Sequence, residues 1–401
     1  MTPVTPLTPA AHLHLLTPEG QSQPYALRGT PVRPARPPGP FNRIAYSAAH
    51  VVADPRADID PWLDSAVDWD ATIAYRQHLW SLGLGVAEAM DTAQRGMGLD
   101  WPRSLQLIGL TLQAARGTPG ALVASGCGTD QLDPAATRSV DDVIRAYEEQ
   151  MAAIEALGGR LVLMCSRALA RVARGPADYE RVYDRLLSQA REPVILHWLG
   201  DMFDPALAGY WGSHDVSAAM DTALGVIAAH AGKVDGIKIS LLDQDHEIRM
   251  RRRLPAGVRM YTGDDFHYPE LIEGDGVGTH ATQQHSHALL GIFDAIAPVA
   301  SAALSALGRG EVERYRALLA PTVPLSRHIF KAPTRFYKTG VVFMAWLNGH
   351  QSHFTMVGGQ HSARSLPHLC ELFRLADAAG ALADPDLATH RMRSLLTLNG
   401  L

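Results

Sequence analysis

The chain has 401 residues, of which 47% are hydrophobic and 19% charged, with a formal net charge of −5. This composition excludes a disordered chain, and apolar runs shorter than a bilayer exclude a helical membrane protein. Three scattered cysteines (Cys127, Cys165, Cys370) make neither a disulfide framework nor a zinc cluster, no signal-peptide pattern precedes them, and the acidic balance speaks against nucleic acid. The expectation is a cytoplasmic protein that binds a small molecule.

Ten of the 26 prolines fall in residues 1–40, which read as an extended lead-in because proline fixes φ and removes a donor. Within it, apolar stretches at 12–16 and 24–27 flank Pro18-Glu19-Gly20 and predict a small hairpin covering one end of the main domain. From residue 41 short apolar runs recur at 43–47, 85–90, 121–125, 161–165, 193–197, 234–240, 258–262 and 275–280. Stretches of helical periodicity separate them, as at 141–157, where Val143, Ile144, Tyr147, Met151 and Ile154 share one face. Eight such units predict an α/β fold, a (β/α)8 TIM barrel over residues 41–307. No strand leads into a Gly-x-Gly-x-x-Gly turn, which argues against a doubly wound sheet. After His280 the pattern is helical, at 288–307, 311–319, 340–347, 366–379 and 386–396. The first of these closes the barrel; the others make a C-terminal helical bundle over 308–401, suited to covering the barrel or to joining subunits of a homo-oligomer.

Chemistry in such a barrel gathers at the carboxyl ends of the strands. Those ends carry Glu88, Asp91 and Thr92, then Ser125 and Cys127, Ser166 and Arg167, His197, Lys238 and Ser240, Asp264, Asp265 and His267, and His280. Of 36 basic residues only Lys233, Lys238, Lys331 and Lys338 are lysines. Lys238 lies in Val234-Asp235-Gly236-Ile237-Lys238-Ile239-Ser240, and strand alternation turns the two isoleucines toward the helices and the lysine into the barrel. Desolvation favours the neutral amine, which is the form that attacks a ketone. A structural ion pair with Asp264 or Asp265 explains the same residue equally well.

Gly236-Ile237-Lys238 followed by Thr262-Gly263-Asp264-Asp265, with Pro193-Val194-Ile195-Leu196 before and Asp275-Gly276-Val277 after, resembles the dihydrodipicolinate synthase/N-acetylneuraminate lyase superfamily. The resemblance spans roughly residues 41–350 and is motif-level only around 193–280. It implies a (β/α)8 barrel whose sixth-strand lysine, here Lys238, forms a Schiff base with a 2-oxo acid, and it marks a divergent branch. The family's fifth-strand tyrosine, a proton relay, is replaced by His197 in His197-Trp198-Leu199-Gly200, so His197 inherits that role. The family's Gly-Thr-Thr-Gly-Glu corresponds to Met90-Asp91-Thr92-Ala93-Gln94, where Thr92 keeps a hydroxyl but Asp91 repels a carboxylate. The arginine that serves the second substrate of dihydrodipicolinate synthase has no counterpart in Gly200-Asp201-Met202-Phe203.

The expected function is a class I lyase, an aldolase or dehydratase acting on a 2-oxo acid or sugar-derived acid. Lys238 and His197 would be catalytic; Glu88, Asp91, Thr92, Ser240, Asp264, Asp265, His267 and His280 would hold the substrate. No cofactor is needed, because the iminium carries the charge. Two competing expectations remain. One is a metal-dependent isomerase or aldolase, with a divalent ion on Glu88, His197, Asp265 and His267 and with His280, His285 and His287 nearby. The other is a binding barrel without catalysis. Arg335, Tyr337 and Lys338 can reach over the barrel mouth or serve packing alone, and the arginines of 249–253 read as a solvated helix face.

Overall fold

The computed structural model describes residues 13–401. Two short antiparallel strands, β1 (Leu13–Leu16) and β2 (Ser22–Tyr25), precede eight parallel strands: β3 (Ala45–Ala48), β4 (Gly85–Glu88), β5 (Val123–Cys127), β6 (Leu161–Leu163), β7 (Val194–Leu199), β8 (Val234–Ser240), β9 (Arg259–Thr262) and β10 (His287–Leu290). They close in the order β10-β3-β4-β5-β6-β7-β8-β9, with helices between them: a (β/α)8 barrel, with an N-terminal hairpin and a C-terminal helical region.

Local chemistry explains the alternation. The barrel strands are short runs, and most of the helices between them open on a side chain that satisfies free N–H groups. Asp100 accepts from Arg103 N, Asp215 from Ala218 N, and Ser139 forms a reciprocal box with Asp142. Strand parity then sorts the core into two layers. Tyr46, Ala87, Ala124, Val162, Ile195, Tyr261 and Leu289 fill the barrel interior, while residues such as Val86, Leu196, Ile237 and Met260 pack outward on the helices.

Two expectations need correction. Residues 275–280 are not the eighth strand. Gly274, Gly276 and Gly278 have φ of 82°, 67° and 156°, and the segment is an exposed turn at the amino-terminal end of the barrel. The strand is His287–Leu290, whose apolar run continues into the next helix and so merged with its period. The hairpin, too, does not cover a barrel end. Its segment docks on the C-terminal helix Leu366–Ala378, where Asp377 accepts from Tyr25 Oη (2.6 Å), Arg28 N (2.9 Å) and Gly29 N (3.0 Å).

The C-terminal helix Tyr337–Leu347 is buried along its whole length, between Ile292–Ala295, Leu366–Ala378 and Pro385–Leu398. Apolar on every side beyond Lys338 and Thr339 of its first turn, it is a helix that belongs inside a protein. Arg251 is also buried, donating to the Gln283 and Leu271 carbonyls and to Ser286, so the 249–253 cluster is only partly a solvated face.

Burial lowers the pKa of His78 to about 4 and those of His287 and His350 to about 3, from an ordinary 6.5. Below pH 6.5 the unfolded chain binds protons that the folded chain refuses, so stability is full above 6.5 and declines toward pH 4. The loss is up to about 1.4 kcal/mol per histidine per pH unit. Urea unfolding at a series of pH values checks this; a stability unchanged between pH 7 and 5 would contradict it.

Candidate active site

Period-2 alternation near the carboxyl ends of β8 and β9 builds the centre of the site. Lys238 and Ser240 point inward from β8, and both are buried. Across from them the alternation turns Tyr261, Gly263 and Asp265 inward and leaves Thr262 and Asp264 outside. Gly263 is required: a Cβ there would lie 2.3 Å from Ser240 Oγ and 2.7 Å from Lys238 Cε, so any other residue would displace the lysine. On the other flank β7 sets His197 in register with Lys238, and His197 Nε2 lies 3.4 Å from Ser240 Oγ.

Asp91 and Thr92 follow β4, after Ala89 takes a left-handed φ of 51° that turns the chain over the mouth. The cover comes from elsewhere. Phe203, from the loop after β7, meets Phe330 and Tyr337 from the C-terminal region, and the latter two rings stack at 4.4 Å. Tyr337 Oη is 2.8 Å from Thr92 Oγ1, which ties this lid to the barrel. A Cβ on Gly291, at the end of β10, would lie 3.0 Å from Phe330 and 3.2 Å from Tyr337, so glycine lets the lid seat. Lys238, Ser240, Asp265, Asp91, Thr92 and the three aromatic rings enclose a free volume of about 10 Å³, the room of about one water.

Burial dominates the electrostatics. It lowers the pKa of Lys238, against the opposing pull of Asp265 and Asp91. It raises Asp265 to about 7, although the Ile292 N–H (2.9 Å) and Lys238 act the other way. His197 is pushed well below 6.5 by burial and then by Lys238, and its Nδ1 has no hydrogen-bond partner among the described residues. All three groups therefore lean toward neutral forms: an amine, a carboxylic acid and an imidazole.

Lys238, Asp91, Thr92, Ser240 and Asp265 converge, with His197 behind Ser240. Four predicted residues do not join them. Glu88 faces the helices, bound by Arg76 through Nε and Nη2 (both 2.9 Å) and by Thr111 Oγ1 (2.6 Å). Asp264 accepts from Phe266 N, His267 N and His267 Nδ1, so that Asp264 and His267 fix the turn leading into helix Tyr268–Glu273. His280 sits in the exposed turn at the opposite end of the barrel. With Glu88 facing outward and His267 engaged by Asp264, the four expected metal ligands do not converge, and no group of three or more His, Cys, Asp or Glu suited to a metal occurs among the described residues. His287 accepts from Ile44 N as a structural residue. Cys127 faces the helix layer, where burial raises its thiol pKa. Sequence reasoning missed Phe203 and Phe330, which carry no signal beyond being aromatic, and left Tyr337 undecided.

Solved structures similar to this chain include dihydrodipicolinate synthases and proteins of that family. The enzyme from Oceanobacillus iheyensis is 15% identical over 78% of this chain and 89% of its own, with a TM-score of 0.56. The one from Aquifex aeolicus is 12% identical over 90% and 98%, with a TM-score of 0.58. A prophage protein of the dihydrodipicolinic acid synthase family from E. coli K12, solved in complex with pyruvate, is 14% identical over 90% and 99%, with a TM-score of 0.60. At these identities the likeness is one of fold. The chain itself belongs to the family described as Protein of unknown function (DUF993), whose model matches residues 13–401. No curated protein matches it in sequence.

Because Glu88 and Arg76 form a fully buried pair, Glu88→Gln should leave Arg76 unneutralised and cost about 3 kcal/mol of stability. Chemical denaturation measures the loss. A variant as stable as the parent would show that the pair is not needed.

Proposed function

We propose that this chain is a class I lyase, an aldolase or dehydratase that forms an imine between Lys238 and a 2-oxo acid or sugar-derived acid. The observation that carries this reading is the enclosure of Lys238: a buried amine with lowered basicity, under an aromatic lid, opposite a carboxyl group raised to about 7. The alternative, a structural ion pair, fits less well, because both partners lean away from their charged forms. The pyruvate bound to the E. coli prophage protein of the same fold agrees with a 2-oxo acid.

In this reading the neutral Lys238 amine adds to the C2 carbonyl. Protonated Asp265 gives its proton to the carbinolamine oxygen, which leaves as water, and the resulting iminium draws electrons from the adjacent bond. Breaking a C–H or C–C bond there yields an enamine, and the proton released returns to the Asp265 carboxylate left by the dehydration, passing through a hydroxyl that takes it up and hands on its own. In this reading Tyr337, hydrogen-bonded to Thr92, is that relay and fills the role of the tyrosine missing after β7. His197, neutral and behind Ser240, takes part through that serine. The lid excludes water from the enamine, and it must part for substrate to enter a pocket with so little free volume.

Borohydride reduction in the presence of pyruvate and longer 2-oxo acids, read by peptide mass, tests the reading. An adduct is expected on the Lys238 peptide and none in Lys238→Arg, since arginine does not give up its proton. Tyr337→Phe should keep the adduct but slow hydrogen exchange at C3 about 100-fold. Adducts on another lysine, or turnover by Lys238→Arg above about a tenth of the parent rate, would rule out the assignment.

A further inference from the structure

Outside the lid lies a second cavity, of about 440 Å³, which shares Asp91, Leu199, Phe203 and Tyr337 with the wall of the Lys238 pocket. Its charged lining is Asp91, Arg95, Arg167, Asp204, Arg335 and Lys338. These are four cations against two carboxylates, and internal pairing leaves Arg335 and Lys338 against Asp91 alone. Arg167 binds Asp204, and Arg95 binds Asp130. Arg335 and Lys338 form no salt bridge among the described residues; Arg335 lies over the Phe336 ring.

Lys338 is the unusual member. It is 4% exposed, yet its ammonium donates only to the Arg335 carbonyl (3.2 Å) and the Met97 sulfur (3.3 Å). An ammonium has three donors, and a buried one without a counter-ion is costly unless an anion arrives. Lys338 also stands in the first turn of helix Tyr337–Leu347, where helix polarity adds to the same sign. One residue before it, Tyr337 roofs the Lys238 pocket, so a molecule lying past Tyr337 reaches both lysines. Asp91 stands at the junction and disfavours an anion there, which keeps the two ends of such a molecule apart.

We propose that the outer cavity holds the distal anionic group, a carboxylate or a phosphate, of an extended 2-oxo acid, with Lys338 as its principal ligand and Arg335 as the second. The proposal rests on the reading of Lys238 as the imine-forming amine and adds a substrate class to it: a 2-oxo acid with a second anionic group.

Two measurements on the full chain separate the claims. In calorimetric titrations with glutarate and with inorganic phosphate, neither of which can form an imine, one should bind. Its affinity should fall about tenfold or more in Lys338→Met and less in Arg335→Gln; the anion that binds names the distal group. Lys338→Gln serves as the second variant if the methionine form does not fold. Borohydride trapping should then favour 2-oxoglutarate or a phosphorylated 2-oxo acid over pyruvate in the parent, and Lys338→Met should erase that preference while keeping the pyruvate adduct. A pyruvate adduct with no such preference, or anion binding unchanged in both lysine variants, would overturn the subsite and leave the imine standing. Anion binding that depends on Lys338, with no adduct from any acid, would overturn the imine instead.

Discussion

Taking a lysine out of water is the constraint on which this site depends. A barrel interior that holds a lysine must exclude solvent around it, leave it room and supply no carboxylate close enough to fix its charge. Gly263 supplies the room, since a Cβ there would collide with the lysine stem. Asp265 faces the amine but is held by the Ile292 N–H and is itself desolvated, so neither group stabilises the other's charge fully. The exclusion of solvent comes from Phe203, Phe330 and Tyr337. The C-terminal region thus contributes to the burial that lowers the basicity of the barrel's lysine.

Strand parity separates the carboxylates into two kinds. Glu88 and Asp264 are buried and near the mouth, but both point outward: one neutralises Arg76, the other fixes the turn before helix Tyr268–Glu273. Asp91 and Asp265 lie one to three residues further along the same stretches and line the pocket. A shift of one residue in register at β9 would exchange Asp264 and Asp265, so the barrel's hydrogen-bond register also determines which of these two carboxylates lines the pocket.

Much of this was legible in the sequence. Lys238 between two isoleucines is a local pattern, and alternation alone turns it inward. The barrel followed from eight repeats of strand and helix, and the motif around 236–265 resembled the superfamily whose fold the structure has. Where the reading failed, the cause was a missing local signal. Glu88 was misplaced because it was grouped with Asp91 and Thr92 as one strand end, whereas alternation turns Ala87 inward and Glu88 outward, and only the residues after the left-handed turn at Ala89 face the mouth. The eighth strand was misplaced because His287–Leu290 runs into helical residues, while the glycine-rich 275–280 resembled a strand of the superfamily. The lid joins residues 203, 330 and 337, contacts made only by the tertiary fold, so no spacing in the sequence announces them. Lys338 was visible as one of four lysines, but its burial was not.

The account stands or falls on the charge of Lys238. With only four lysines in the chain, ε-¹³C-lysine labelling gives four NMR resonances, and Lys238→Arg removes and thereby assigns one. That resonance should titrate clearly below the ordinary 10.5, and Tyr337→Ala, which opens the lid, should move its midpoint back upward. A midpoint at or above 10.5 in the parent, the behaviour of an ion-paired ammonium, would contradict the account.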